Sequence, residues 1–152
     1  QRGPSQPQAR EVARPNTQTR IVAVMNGVTG QVTYVQRSKI GKEALVAFYR
    51  VVRAAYPEAR TIYVVQDNWP THKLPEVLAQ MAPERLTACF LPTYASWLNP
   101  IEKLWRWLKQ DVLHLHPWAG ELDQLREQVA EFLNRFACGS DALLHYTGLL
   151  SE

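Results

Sequence analysis

Only two cysteines, two methionines and seven glycines occur in 152 residues, which leaves several chemistries without material. Cys89 and Cys138 lie far apart and belong to no Cys-x-x-Cys pair, so the sequence supports neither a disulfide scaffold nor a cysteine zinc site. Cys89 falls in the apolar run "LTACFLP" and is expected to be a core thiol. Long hydrophobic runs are missing too. The longest uncharged ones, such as "IVAVMNGV" and "IYVVQ", fall well short of the roughly 18 residues that a membrane helix needs. No signal-peptide pattern opens the chain, and the pattern predicts a cytosolic protein with no membrane partner. Aspartate is absent before Asp67, where the only acids are Glu11, Glu43 and Glu58, none of them in a strand-like run.

What is present fits one domain: 46% hydrophobic residues can build a substantial core. The net charge of +3 conceals an asymmetry, because residues 1–110 hold 15 basic against 7 acidic residues and residues 111–152 hold 2 against 7. Such a field attracts a polyanion such as nucleic acid, although a soluble basic surface would show the same charge.

Residues 1–19 carry three prolines, four glutamines and three arginines with almost no large apolar side chain, and are expected as an irregular basic arm. The opening Gln1 suggests a fragment or a processed start. "RIVAVM", "NGVTG" and "QVTYVQ" together predict a β-hairpin. Apolar residues at 45, 46, 48, 49, 52 and 55 predict a helix over 42–55, with Ser38 helping to cap it. "RTIYVVQDN" predicts a mostly buried strand ending at Asp67, since its apolar run is continuous rather than alternating. A helix follows over 73–81, then a short buried strand in "RLTACFLP". Asn99 as N-cap and Pro100 at the first helical position open another helix, apolar at 101, 104, 105, 108 and 112. Pro117 and Gly120 interrupt the chain before a last helix over 121–136, and residues 137–152 form a tail. The alternation predicts an α/β layer with helices covering a mixed sheet.

Two carboxylates stand out. Asp67 closes an apolar strand, where a bare charge is expensive, so it must be paired, cap the turn or hold a metal. Glu102 occupies the first turn of a helix, where the dipole favours it by about 0.3–1 kcal/mol. Arg106 and Lys109 share its face. That face reads either as a salt-bridged solvated surface or as a magnesium-binding acid beside phosphate-gripping cations. His72 alone reads as a surface or helix-start residue, and His114, His116 and His145 as structural.

"VVQDNWPTH" followed by "LPTYASWLNPIEKLWRWLK", with 34 residues between Asp67 and Glu102, resembles the catalytic domain of mariner-superfamily insertion-sequence transposases, the DDE endonucleases. The resemblance covers residues 20–136. It implies a ribonuclease H-like mixed sheet flanked by helices and metal-dependent cleavage and strand transfer of transposon-end DNA. Asp67 and Glu102 then match the second and third acids of the triad, as catalytic residues and ligands of a two-ion Mg²⁺ (or Mn²⁺) site. Asn68, His72 and Asn99 match site-shaping positions, and Lys103, Arg106 and Lys109 would face DNA. Such a domain needs a first aspartate on a central strand, which this chain lacks. The expected consequence is two unpaired strand edges and an open core, with little or no catalytic activity and poor stability for the chain by itself. A second reading is a non-enzymatic remnant that binds DNA, itself or a full-length transposase. A structure-selective nuclease of the same fold fits less well with the Leu98 to Glu102 signature.

Overall fold

The computed structural model describes residues 19–113 and 122–151. The predicted arm, Thr19 apart, lies outside the described residues, as do the break around Pro117 and Gly120 and the histidines His114 and His116. Strands β1 (Arg20–Met25) and β2 (Val32–Arg37) form the predicted hairpin, antiparallel with Ala23 opposite Tyr34. The Asn26 side chain sets the turn by accepting hydrogen bonds from Val28 N at 2.8 Å and Thr29 N at 3.0 Å. Gly30, at φ +76°, brings the chain back, a conformation that a side chain would strain.

Helix α1 (Lys42–Ala55) buries Leu45, Phe48, Tyr49 and Val52, one stripe at helical spacing. Its cap is Gly41, which makes no side-chain cap bond. Ser38 does not cap it: the residue lies three positions upstream of the cap and is exposed. Strand β3 (Ile62–Gln66) leads through a single 3₁₀ turn (Pro70–Lys73) and helix α2 (Pro75–Met81) to strand β4 (Leu86–Phe90). β3 and β4 are parallel, with Val64 opposite Ala88. Helix α3 (Ile101–Leu108) widens into a π turn over Lys109–Leu113. α4 (Leu122–Asn134) follows, then α5 (Asp141–Thr147), a helix inside the stretch where the sequence suggests only a tail. Ser140 Oγ caps α5 by accepting from Leu143 N at 3.0 Å, and Gly148 closes it in the left-handed conformation.

The hairpin separates two cores. Ile21, Ala23, Met25, Val32 and Tyr34 pack on Leu104, Leu108, Val129, Phe132 and Leu133 of α3 and α4. Val22, Val24 and Val35, on the opposite face by the period of two, join α1, α2 and the inner side of β3 and β4, including Val64 and Leu86. The α/β class is as predicted, with one antiparallel and one parallel pair. Among the described residues no ladder joins the two pairs into one sheet.

Two burial expectations fail. β3 is not covered on both faces: Val64 and Gln66 are buried, whereas Tyr63 is 69% and Val65 50% exposed. Cys89, on β4 opposite Val65, is likewise exposed rather than a core thiol. Helices α1 and α2 pack on only one side of this pair, and the residues on its other side belong to neither core. No helix among the described residues is long and apolar enough to cross a membrane.

Candidate active site

Asp67 is the first residue beyond β3. Its carboxylate is half exposed, which removes the desolvation cost that full burial would impose. Oδ1 accepts from Trp69 N at 3.0 Å and lies 3.2 Å from His72 Nδ1. The same imidazole nitrogen is 3.2 Å from the Asp67 carbonyl oxygen. Asp67 therefore caps its own turn and is also braced by a histidine. Both contacts use one oxygen; among the described residues Oδ2 has no hydrogen-bond partner. His72 is held in turn by its backbone N–H on Trp69 O at 2.8 Å and by the edge of the Trp69 ring, with centroids 5.2 Å apart.

Glu102 stands in the first turn of α3, on backbone that Asn99 organises. Pro100 rather than Asn99 occupies the cap position of α3, one residue later than the sequence suggests, but Asn99 still steadies the first turn: its Oδ1 accepts from Ile101 N at 3.3 Å and its carbonyl from Glu102 N at 3.0 Å. Asn99 Nδ2 donates to Val65 O at 3.4 Å, two residues before Asp67. One side chain thus sets the start of α3 against the strand that carries the other acid. Asn68 does the parallel work at the strand end: its Nδ2 donates to Leu91 O at 2.7 Å while Leu91 N donates to Gln66 O at 2.9 Å. Asn68 and Asn99, neighbours of the acids in sequence, each tie one acid's segment to another element.

The opposite side of α3 is core. Leu104 is 0% exposed, Leu108 is buried, and Ile101 and Trp105 are partly buried. Trp107 was not placed on that stripe from the sequence, yet it packs at 4.8 Å from the Tyr146 ring and against Phe132 and Phe136, with its indole N–H on Asp111 Oδ2 at 3.1 Å. Glu102, Lys103, Arg106 and Lys109 are exposed. The salt-bridged alternative for this face is not realised, since among the described residues none of the four makes an ion pair. Lys103 parts company with the other cations. Its ammonium lies against Gly148, 3.7 Å from where a Cβ would sit, at the carbonyl end of α5.

Sequence reasoning missed Gln66, buried beside Asp67, whose Oε1 accepts from Tyr49 O–H at 3.0 Å. A lone amide at the end of "IYVV" was the available signal. Burial raises the Tyr49 phenol above its ordinary pKa.

The carboxylates of Asp67, half exposed, and Glu102, exposed, are hard-oxygen groups of the kind that would suit Mg²⁺ or Mn²⁺, which need few carboxylates and keep several waters. Among the described residues no three His, Cys, Asp or Glu side chains gather into a metal cage, so Asp67 and Glu102 would make an incomplete set.

The sequence model of the DDE superfamily endonuclease family matches residues 2–126, a span that includes Asp67, Asn99 and Glu102. The chain belongs to that family. This DDE superfamily endonuclease chain is also 24% identical over 129 residues to the 39 kDa protein of insertion element IS630 from Shigella sonnei. The alignment takes in 83% of the chain and 37% of that relative, so the chain spans little more than a third of the relative's length.

Proposed function

We propose that this chain is part of an insertion-sequence transposase whose Asp67 and Glu102 bind the divalent ions used to cut DNA and join its ends. The observation that carries the reading is the Asn99 bond to Val65 O, which couples the segments bearing the two acids. Bound Mg²⁺ or Mn²⁺ would activate the attacking water or 3′-hydroxyl and neutralise charge on the leaving oxygen. The chain's own residues orient that site. His72 and the Trp69 N–H fix one oxygen of Asp67 and leave the other for a ligand; Asn99 and Pro100 fix the first turn beneath Glu102. Arg106 and Lys109 contact phosphates, and Lys103, turned toward α5, contributes least.

In this reading the first aspartate would come from a strand that this chain lacks, one that runs between the two strand pairs of a ribonuclease H-like sheet. Support comes from the lack of any aspartate before Asp67 and from two pairs that share the core under α1 without sharing a ladder. By itself the chain then binds DNA without efficient cleavage, which is where the remnant reading draws its support.

The test is Asp67→Asn and Glu102→Gln in a longer polypeptide that cleaves its own element ends. Each should lower cleavage on the order of 1000-fold, equivalent to about 4 kcal/mol of barrier, with end binding retained. Cleavage by either variant at the parent rate would rule out the assignment.

A further inference from the structure

We propose that Tyr94 and Trp97 form a stacking platform for unpaired bases, so that the loop between β4 and α3 grips single-stranded or frayed DNA beside Asp67 and Glu102. This rests on the transposase reading and adds to it a subsite for a particular form of the substrate. The loop is tied down at both ends. Leu91 is held by Gln66 O at 2.9 Å and by the Asn68 amide at 2.7 Å, and Asn99 is held by Val65 O at 3.4 Å. Between those anchors two turns, Ala95 N to Pro92 O at 3.1 Å and Leu98 N to Ala95 O at 3.0 Å, project the side chains outward. Tyr94 is 96% exposed at φ +64°, and Trp97 is 73% exposed. Neither belongs to a core, so packing gives no reason for two large rings in water.

Their position is selective. Four aromatic side chains are exposed among the described residues, and three of them (Trp69, Tyr94 and Trp97) follow the carboxyl ends of β3 and β4, where Asp67 stands. Exposed cations accompany them: Lys73, 5.1 Å from the Phe90 ring centre, and Arg106 and Lys109 on the helix that the loop enters. An apolar protein partner would account for the rings but not for the cations. Intact duplex would account for the cations but not for the rings, because its base faces are already stacked. Unpaired nucleotides offer a phosphate and an open π face together.

The test uses the full chain and fluorescence anisotropy with two labelled probes: a mixed-sequence single strand of about 12 nucleotides and a closed dumbbell duplex without free ends. The single strand should bind more tightly. Trp97→Ala and Tyr94→Ala should each weaken it roughly 5- to 100-fold and leave the dumbbell unchanged, with Trp97→Phe largely restoring affinity. Arg106→Ala with Lys109→Ala should weaken both probes. If the ring variants leave single-strand affinity unchanged, or lower both probes equally, the platform is overturned while phosphate binding stands. If they change only the sedimentation of the chain, the rings form a self-contact and the platform is overturned. If neither probe binds at all, the DNA-binding reading beneath the proposal falls with it.

Discussion

The hairpin β1–β2 and the parallel pair β3–β4 are built from the same kind of sequence, short runs of Val, Ile and Tyr, yet they meet opposite surroundings. Each face of the hairpin lies on a core, Ile21 and Ala23 toward α3 and α4, Val22 and Val24 toward α1. The parallel pair is covered only on the side of Val64 and Leu86, and turns Tyr63, Val65 and Cys89 to solvent. Every candidate site residue is attached to this half-covered pair or to the loop and helix that follow it. A strand that is apolar on both sides states that both sides can be covered. It does not state by what.

The largest separation of the two regions should come from truncation. Leu104→Ala, in the core behind the hairpin, should cost about 2–5 kcal/mol in urea unfolding. Val65→Thr, on the open face, should stay within about 0.5 kcal/mol. A cost for Val65→Thr comparable to that of Leu104→Ala would show that the face is covered after all. Next in size, Tyr49→Phe should cost about 1–3 kcal/mol, because it leaves the buried Gln66 carbonyl without its donor. The same phenol gives a pH signature. Burial raises its pKa in the folded chain above the ordinary value, so its contribution is complete below the unfolded pKa and is lost as pH rises through the folded one. Alkaline titration of stability should therefore fall less steeply in Tyr49→Phe than in the parent, and parallel curves would refute that. The smallest effect is kinetic: Cys89 should react with a maleimide in the native chain nearly as fast as after denaturation.

Legibility from sequence followed the range of the forces involved. The Asn26 turn, the stripe of α1 and, to within one residue, the Asn99–Pro100 start of α3 are decided within a few residues and are legible in the sequence. α5 escaped notice because seven residues give too little period to detect, although Ser140 and Gly148 bracket it with a cap and a left-handed stop. The motif around Asp67 and Glu102 was readable as a spacing. The means of holding it was not, since the Asn99 to Val65 bond crosses 34 positions and depends on how β3 meets α3. Cys89 departs from the core position that its apolar run suggests for the related reason that cover on the far face of β4 is a tertiary property.

The hairpin turn touches the far end of the chain at two glycines. Ser140 N donates to Thr29 O at 2.8 Å, a Cβ on Gly139 would stand 2.8 Å from that same oxygen, and a Cβ on Gly30 would collide with the Ser140 carbonyl. Thr29 and Ser140 are 111 positions apart in the sequence. On a ribosome adding about 5–20 residues per second, the hairpin therefore emerges on the order of 5–20 s before the surface it must close against. Until α3 and then α4 follow, the face carrying Ile21, Met25 and Val32 lacks its cover, so yield in the cell should depend on how well nascent chains are shielded as much as on the final packing.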